Sequence, residues 1–158
     1  MPVTVRRATK ADAAKVAEFA IALARLHVEW DTKRFTQIIG EGAAWWYGER
    51  AEAENAAVFV AENGENVVGF AYMEYEPVYY AALATNVAWL HDIYVEPDAR
   101  DLGAGKALIA AVKDEAKKLG ADKVLLSVAL GNEHGQHLFE RNGFRTTMLE
   151  MMLDLKNE

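Results

Sequence analysis

A short loop carries the residues that could bind a phosphate group. Residues 100–106 read Arg-Asp-Leu-Gly-Ala-Gly-Lys, after a predicted strand and at the start of a predicted helix. The first N–H groups of a helix are unpaired and carry a partial positive charge, which attracts anions. Gly103 and Gly105 lack Cβ atoms, so the backbone can approach an anion closely. The pattern predicts a phosphate site, although a glycine-rich turn without a ligand fits the same residues.

Two other phosphate motifs fit this loop poorly. Lys106 is followed by Ala107, whereas a P-loop needs Ser or Thr there to hold Mg²⁺. A dinucleotide-binding fingerprint needs a third glycine where this chain has Leu108. That fingerprint also follows an N-terminal β-α unit, and this loop does not. The loop therefore points to a different phosphate-bearing ligand.

Length, charge and composition exclude several function classes. The 158 residues fit one domain, residues 1–158, and a net charge of −7 disfavours nucleic-acid binding. The absence of cysteine excludes disulfides, thiolate metal sites and an acyl-cysteine intermediate. Residues 1–10 do not resemble a signal peptide, and no apolar run is long enough to span a membrane. We expect a soluble cytoplasmic protein that binds neither nucleic acid nor membrane.

The hydrophobic pattern predicts a mixed α/β sheet in the order β-α-α-β-β-β-α-β-α-β. A capping sequence at residues 9–12 precedes the first helix, which His27 to Thr32 breaks. Further along the chain, Glu76-Pro77 closes a hairpin. Ala104–Leu119 is the clearest helix, with Gly120 as its stop. The predicted strands cover residues 3–7, 57–61, 67–75, 87–95, 123–128 and 144–155. One or two short helices are predicted within residues 34–53, with Gly40 and Gly42 as the division, and another short helix at residues 132–142.

Two segments resemble a known family. Residues 89–109 resemble the acetyl-CoA signature of the GCN5-related N-acetyltransferases (GNAT), and residues 132–144 resemble that family's second motif. Both occur at the family's separation, and the resemblance covers residues 3–155. It implies the GNAT fold: a mostly antiparallel sheet with helices on both faces and a splayed strand pair that forms the acyl-CoA slot.

The resemblance also implies a set of cofactor contacts. Loop amides would bind the pyrophosphate of acetyl-CoA, and β-strand backbone would pair with its pantetheine arm. Asn132 would reach the cofactor with its side chain, although Asn is also a good helix N-cap. The implied acetyl-CoA residues are Ile93, Tyr94, Val95, Arg100, Asp101, Leu102, Gly103, Ala104, Gly105, Lys106, Asn132 and Phe139.

A looser resemblance, over about thirty residues, is to the spermidine/spermine (diamine) acetyltransferases. In that subgroup a Glu base occupies the position of His91, and neutral imidazole suits a base near neutral pH. A structural strand histidine is the alternative. Asp92 lies on the opposite face if the strand is regular, but a bulge would change that. Glu74 and Glu76 are alternative bases acting through water, or solvent-facing strand residues.

The family's usual general acid is a Tyr where this chain has Phe139, which cannot donate a proton. A thiol pKa of about 8.5 allows the CoA thiolate to leave without an acid. His134 and His137 are near in sequence, but helical spacing predicts that they point elsewhere.

Aromatic and acidic residues are the candidates for substrate binding. Aromatic rings can surround an ammonium group, or they can pack in the core and in a dimer interface. The aromatic candidates are Trp30, Trp45, Trp46, Tyr75, Tyr79 and Tyr80, and the acidic ones are Glu29, Asp31, Glu74 and Glu76. From these we select Glu29, Trp30, Tyr75 and Glu76 as substrate residues.

The sequence therefore predicts an acetyl-CoA-dependent N-acetyltransferase, without a metal, that acts on the primary amine of a small molecule by direct attack in a ternary complex. A di- or polyamine or a lysine-like amine fits best. Two alternatives stay open: a non-catalytic acyl-CoA sensor of the same fold, which Phe139 would suit, and a protein or peptide acetyltransferase. A homodimer is also expected.

Overall fold

The computed structural model describes residues 2–157, which form a five-stranded sheet with helices on both faces. Its strands are β1 (Val3–Arg7), β2 (Ala56–Asn63), β3 (Asn66–Tyr79), β4 (Ala84–Val95) and β5 (Lys123–Leu125). Its α-helices are α1 (Ala13–Trp30), α2 (Ala43–Glu52), α3 (Ala104–Leu119) and α4 (Glu133–Arg141). Among these residues, no helix is long and apolar enough to cross a membrane.

The sheet follows chain order, β1-β2-β3-β4-β5, and only the last pair is parallel. Helices α1 and α2 pack against one face, around Val58 and Phe70, which we call the α1–α2 face. Helix α3 packs against the other, around Ala71 and Met73, which we call the α3 face. The strand alternation of the sequence supplies both apolar faces, and the predicted fold class is confirmed.

Strands β4 and β5 share only three residue pairs, the last being Trp89 with Leu125. Strand β4 then continues to Val95 without β5 beside it. The predicted splayed pair is therefore present, and it leaves a slot along the second half of β4.

A β-bulge interrupts β4 at His91. Tyr72 pairs with Asp92 and Met73 with Leu90, so His91 is the extra residue. His91 stacks on Tyr72, and Asp92 contacts Tyr47 of α2, so both side chains lie on the α1–α2 face. The alternation that would put Asp92 on the opposite face does not apply, because a bulge shifts the strand by one residue.

Two predicted boundaries were wrong. Helix α1 continues through His27, whose Nδ1 lies 2.8 Å from the Leu23 carbonyl oxygen, and ends at Trp30. Strand β3 continues through Pro77, and the connection between the strands predicted at residues 67–75 and 87–95 shrinks to a short turn before β4. The proline is tolerated because β2 pairs with β3 only as far as Glu74, so beyond that point one edge of β3 needs no N–H donor.

The predicted last strand was also wrong. Residues 144–154 pair with no strand, and β5 stops at Leu125 instead of Val128. Only one α-helix forms within residues 34–53: it begins at Ala43, after Gly42, whose φ of 86° favours glycine. By contrast, α3 has the predicted bounds, and Gly120 ends it with a φ of 98°.

Candidate active site

The phosphate loop has the geometry of an open helix N-terminus. A 3₁₀ turn, Pro97–Leu102, leads to Gly103, which has a φ of 82° and precedes α3. No side chain caps this helix, and within residues 2–157 no atom beyond the neighbouring residues lies within 4 Å of where a Cβ on Gly103 would be. Arg100 Nε donates a 3.1 Å hydrogen bond to the Val95 carbonyl, which holds its guanidinium at the end of β4. The first N–H groups of α3 are thus available to an anion.

The loop borders a cavity of about 620 Å³ between β4, α3 and α4, within the usual size of ligand sites. Leu102 and Ala104 are not among its lining residues: Leu102 is exposed, and the Ala104 side chain packs in the core. We call this the large cavity. The predicted cofactor residues that line it are Ile93, Tyr94, Val95, Arg100, Asp101, Gly103, Gly105, Lys106, Asn132 and Phe139.

The structure gives a second reason for a glycine at position 105. A Cβ on Gly105 would lie 2.9 Å from Cδ2 of Leu138, closer than real Cβ contacts. The glycine therefore lets α4 approach α3 closely, and this approach forms one wall of the large cavity. Glycine is therefore required at position 105 by helix packing, as well as by any close approach of an anion.

Helix α4 and its N-cap, Asn132, form one wall of the large cavity. Asn132 Oδ1 accepts a 2.9 Å hydrogen bond from the Gly135 N–H, so Asn132 is a helix N-cap that also lines the cavity. Phe139 is buried, with its ring 5.7 Å from that of Phe144. His134 is also among the residues that line this cavity, although five residues along a helix turn its side chain about 140° away from that of Phe139.

A smaller cavity of about 200 Å³ lies on the α1–α2 face, beside the bulge. Leu23 of α1 lines both cavities, and Asp92 in the small one directly precedes Ile93 in the large one. The two cavities are therefore neighbours along β4. The small cavity is lined by Ala20, Leu23, Ala24, His27, Phe35, Thr36, Ile38, Ile39, His91 and Asp92.

His91 lies at the bulge with its ring against Tyr72. Its ring stacks on Tyr72 with centroids 5.1 Å apart and planes 20° apart, and Trp89 lies 6.3 Å away. Burial lowers the pKa of His91 below its usual value, although the charges of Glu74, Asp92 and Glu76 oppose this. A neutral imidazole can accept a proton, as a general base must.

Asp92 and Glu74 differ in their surroundings. Burial raises the pKa of the Asp92 carboxyl, and a 2.7 Å hydrogen bond from the Tyr47 hydroxyl opposes that rise. Burial also acts to raise the pKa of Glu74, but hydrogen bonds from Tyr72 and Arg50, at 2.5 and 2.9 Å, outweigh it and the pKa is lowered. Glu74 is thus occupied by two donors, which suits it less to accept a substrate proton.

The predicted substrate residues are not brought together. Trp30 lines the large cavity, whereas Glu29 is exposed and lines neither. The Tyr75 hydroxyl donates a 3.2 Å hydrogen bond to Asn86 and lies near Gly120 at the end of α3, on the face opposite His91. Glu76 is close enough to influence the pKa of His91.

The predicted aromatic groups are also dispersed. Trp45 and Tyr80 are exposed, Tyr79 packs edge-on against Trp89, and Trp46 lies under the Arg50 guanidinium. No ammonium cage forms from these rings.

Several residues in or beside the two cavities were not identified from the sequence. Tyr47 contacts Asp92 across 45 residues of sequence, and no local pattern indicates that contact. Tyr72 contacts Glu74, two residues further along β3, which the strand alternation places on the same face. Leu23 and His27 were detectable in principle, since both lie at helical spacing on α1, Leu23 before the predicted break and His27 at its first residue.

The large cavity fits the parts of acetyl-CoA. The α3 N-terminus with Arg100 and Lys106 suits a pyrophosphate, and the unpaired half of β4 suits an extended, amide-containing arm. Leu138 and Phe139 supply apolar surface at the α4 wall. The assignment of individual residues to these contacts stays a prediction.

Comparison with known proteins gives the same result. The acetyltransferase (GNAT) family profile matches residues 17–144. An uncharacterized N-acetyltransferase of Bacillus subtilis, YhfO, is 30% identical over 104 residues, covering 66% of this chain and 68% of that protein.

Solved structures share the fold. A single-residue mutant of the BH1408 protein of Bacillus halodurans has a TM-score of 0.82 at 19% identity, covering 96% of this chain and 99% of that one. The aminoglycoside N-acetyltransferase AAC(6')-Iy, solved with CoA, has a TM-score of 0.77 at 22% identity, covering 96% and 93%. The chain belongs to the GNAT acetyltransferase family, and it is an N-acetyltransferase that uses acetyl-CoA.

Proposed function

We propose that this acetyltransferase acts on the primary amine of a small molecule, by direct attack in a ternary complex. The observation that carries this proposal is the bulge at His91. It places the imidazole of His91 at the small cavity, directly beside the stretch of β4 that lines the large cavity. An amine in the small cavity would therefore meet both a base and an acetyl donor.

The charge around the small cavity favours a cationic acceptor. Glu74, Glu76 and Asp92 all exert their charges on His91, so an ammonium group would enter a negative field. The apolar part of the lining, from Phe35 to Ile39, suits an alkyl chain. A di- or polyamine or a lysine-like amine combines these two properties.

In the proposed reaction the bound thioester supplies the acetyl group, and residues of the chain accept the proton. Acetyl-CoA supplies an activated acetyl group, whose C–S bond breaks as the amide C–N bond forms. His91 accepts the proton of the acceptor amine, because only a neutral amine attacks. The carboxyl of Asp92, adjacent to His91, stabilises the resulting imidazolium when it is ionised. Phe139 donates no proton, so a thiolate leaves unassisted, as a thiol pKa of about 8.5 permits.

The test is an acceptor panel followed by free CoA release. Diamines, polyamines, amino acids and lysine peptides are each incubated with acetyl-CoA, and calorimetry first establishes that acetyl-CoA binds. We expect turnover with at least one primary amine that bears an alkyl chain. Absence of binding at about 1 mM acetyl-CoA, which corresponds to roughly −4 kcal/mol, would contradict the co-substrate. Binding without turnover on any amine would favour a sensor, the alternative that Phe139 supports.

A peptide acetyltransferase remains the second candidate. The turn between β3 and β4 spans only Tyr80 to Leu83, so it forms no long loop that would hinder a peptide. Higher kcat/KM for a lysine peptide than for free lysine and polyamines would favour this candidate. Cytoplasmic location and a homodimer stay predictions.

A further inference from the structure

The ring of His91 is oriented without a hydrogen bond. Within residues 2–157, neither ring nitrogen of His91 is hydrogen-bonded to the chain, and the contacts of the ring are with other rings. A general base must present one nitrogen to the substrate at hydrogen-bond distance, and a third group commonly orients the base for this purpose. For His91, that third group has to act through packing.

Tyr72 supplies the packing contact. Its ring lies nearly parallel to the imidazole, with centroids 5.1 Å apart and planes 20° apart. Trp89, the other ring beside His91, is further away at 6.3 Å and is tilted by 49°. The face of an aromatic ring attracts a cation within about 6 Å of its centroid. The stack on Tyr72 therefore holds His91 both before and after the imidazole gains a proton.

Tyr72 is itself held by contacts to β3 and α2. It is buried, and its ring packs edge-on against Tyr47 of α2 with centroids 5.7 Å apart. Its hydroxyl donates a 2.5 Å hydrogen bond to Oε1 of Glu74, which also accepts a 2.9 Å bond from Arg50. Burial and the bond to Glu74 raise the pKa of Tyr72, so the hydroxyl keeps its proton and stays a donor. These contacts fix the surface on which His91 lies.

We propose that Tyr72 is the positioning residue of His91, and that Glu74 and Arg50 hold Tyr72 in place. Tyr72 lines neither cavity, so it acts through His91 and not on the substrate. Glu74 then has a role in which it accepts no substrate proton, because its Oε1 is occupied by the two donors. The inference rests on the proposed role of His91 as the base.

The charged and titratable groups around His91 come from four elements of the fold. They are Tyr72, Glu74 and Glu76 of β3, Asp92 of β4, His27 of α1, and Tyr47 and Arg50 of α2. Among the three carboxyls, Glu74 acts most strongly on His91 and raises its pKa, against the larger effect of burial. The carboxyl that holds Tyr72 therefore also favours the protonated form of His91.

The first experiment detects the stack in solution by proton NMR and needs no acceptor. The imidazole protons of His91, identified by their loss in His91→Ala, should be shifted upfield by the ring current of Tyr72. Tyr72→Leu should abolish this shift, and Tyr72→Phe should keep it. Tyr79→Leu, which removes a ring of the same strand that packs on Trp89, is the matched control and should keep the shift. An unchanged shift in Tyr72→Leu would overturn the proposal.

The second experiment measures kinetics at pH 8 with the amine that the acceptor panel identifies. Tyr72→Leu should lower kcat by about 10- to 100-fold, the usual effect of a misplaced catalytic group, and leave KM for acetyl-CoA unchanged. Tyr72→Phe keeps the ring and should recover most of this loss, which a loss of fold would not explain. Circular dichroism checks the fold, and Tyr72→Met carries the same test if the leucine variant does not fold.

A third variant tests the part of Glu74. Glu74→Gln removes the charge but keeps an acceptor for the Tyr72 hydroxyl. Because Glu74 raises the pKa of His91, the NMR titration of His91 and the acidic limb of kcat/KM should both move to lower pH. A wild-type titration and limb would contradict the role of Glu74.

The outcomes separate this inference from the proposed function. Wild-type kcat in a folded Tyr72→Leu variant would remove the role of Tyr72 and leave His91 as the base. Wild-type kinetics in His91→Ala would remove the base itself, and with it the role of Tyr72.

Discussion

The Tyr47 hydroxyl donates a 2.7 Å hydrogen bond to Oδ2 of Asp92, joining α2 to the bulged part of β4 across 45 residues of sequence. The bond fixes a carboxyl whose pKa burial raises. The folded state therefore binds this proton more tightly than the unfolded chain, in which the Asp pKa is about 3.9. Its contribution to stability is greatest at low pH and is lost as the pH rises through the raised pKa.

Asp92→Asn should consequently raise the melting temperature at pH 7.5, because an amide keeps an acceptor for Tyr47 without a buried charge. The gain should vanish as the pH approaches 4. Thermal unfolding of both proteins between pH 4 and 8 measures this, with Asp114→Asn on the exposed side of α3 as the control. A lower melting temperature for Asp92→Asn at pH 7.5 would contradict this account.

His91→Ala should reduce kcat/KM by about 10²- to 10⁴-fold, the usual contribution of a general base. Burial lowers the pKa of His91, so wild-type kcat/KM should stay level as the pH falls to 6.5 and decline only below it. His137→Ala, exposed and outside both cavities, should keep wild-type kinetics. Unchanged kcat/KM for His91→Ala between pH 6 and 9 would remove His91 as the base.

Asn132 serves both as a helix cap and as a cavity residue, and two substitutions separate these roles. Asn132→Ala should lose about 1 kcal/mol of stability, since the bond to the Gly135 N–H disappears. Asn132→Ser keeps a capping oxygen but removes the amide group. We expect both variants to raise KM for acetyl-CoA and only the alanine to lower the melting temperature. If the serine variant has the wild-type KM, Asn132 is a cap alone.

Gly69→Ala should destabilise the fold by about 1–3 kcal/mol, as overpacking of a core does. Its Cβ would lie 2.6 Å from the Tyr94 carbonyl oxygen, a backbone atom that cannot move without displacing β4. Because Tyr94 lines the large cavity, acetyl-CoA affinity should fall as well.

The matched control is Gly48→Ala in α2, where the nearest atom to the new Cβ is at 3.5 Å. There, helix propensity should raise stability by about 0.5–1 kcal/mol. Thermal unfolding should therefore shift in opposite directions for the two glycines. A neutral Gly69→Ala would mean that β3 and β4 adjust freely.

The sequence by itself determined the features that depend on neighbouring residues. The phosphate loop, the bounds of α3 and the glycine that ends it all follow from helix periodicity, capping and backbone freedom, which act within a few residues. The family resemblance added the fold and the co-substrate, and both are confirmed.

Only the tertiary structure decided how distant segments meet. The bulge that puts the side chains of His91 and Asp92 on one face depends on the register between β3 and β4. No local pattern in the sequence shows that β4 has one extra residue there. Residues 144–155 have the apolar content of a strand, and the sequence predicts one there. A strand forms only when another edge pairs with it, and within residues 2–157 no edge does.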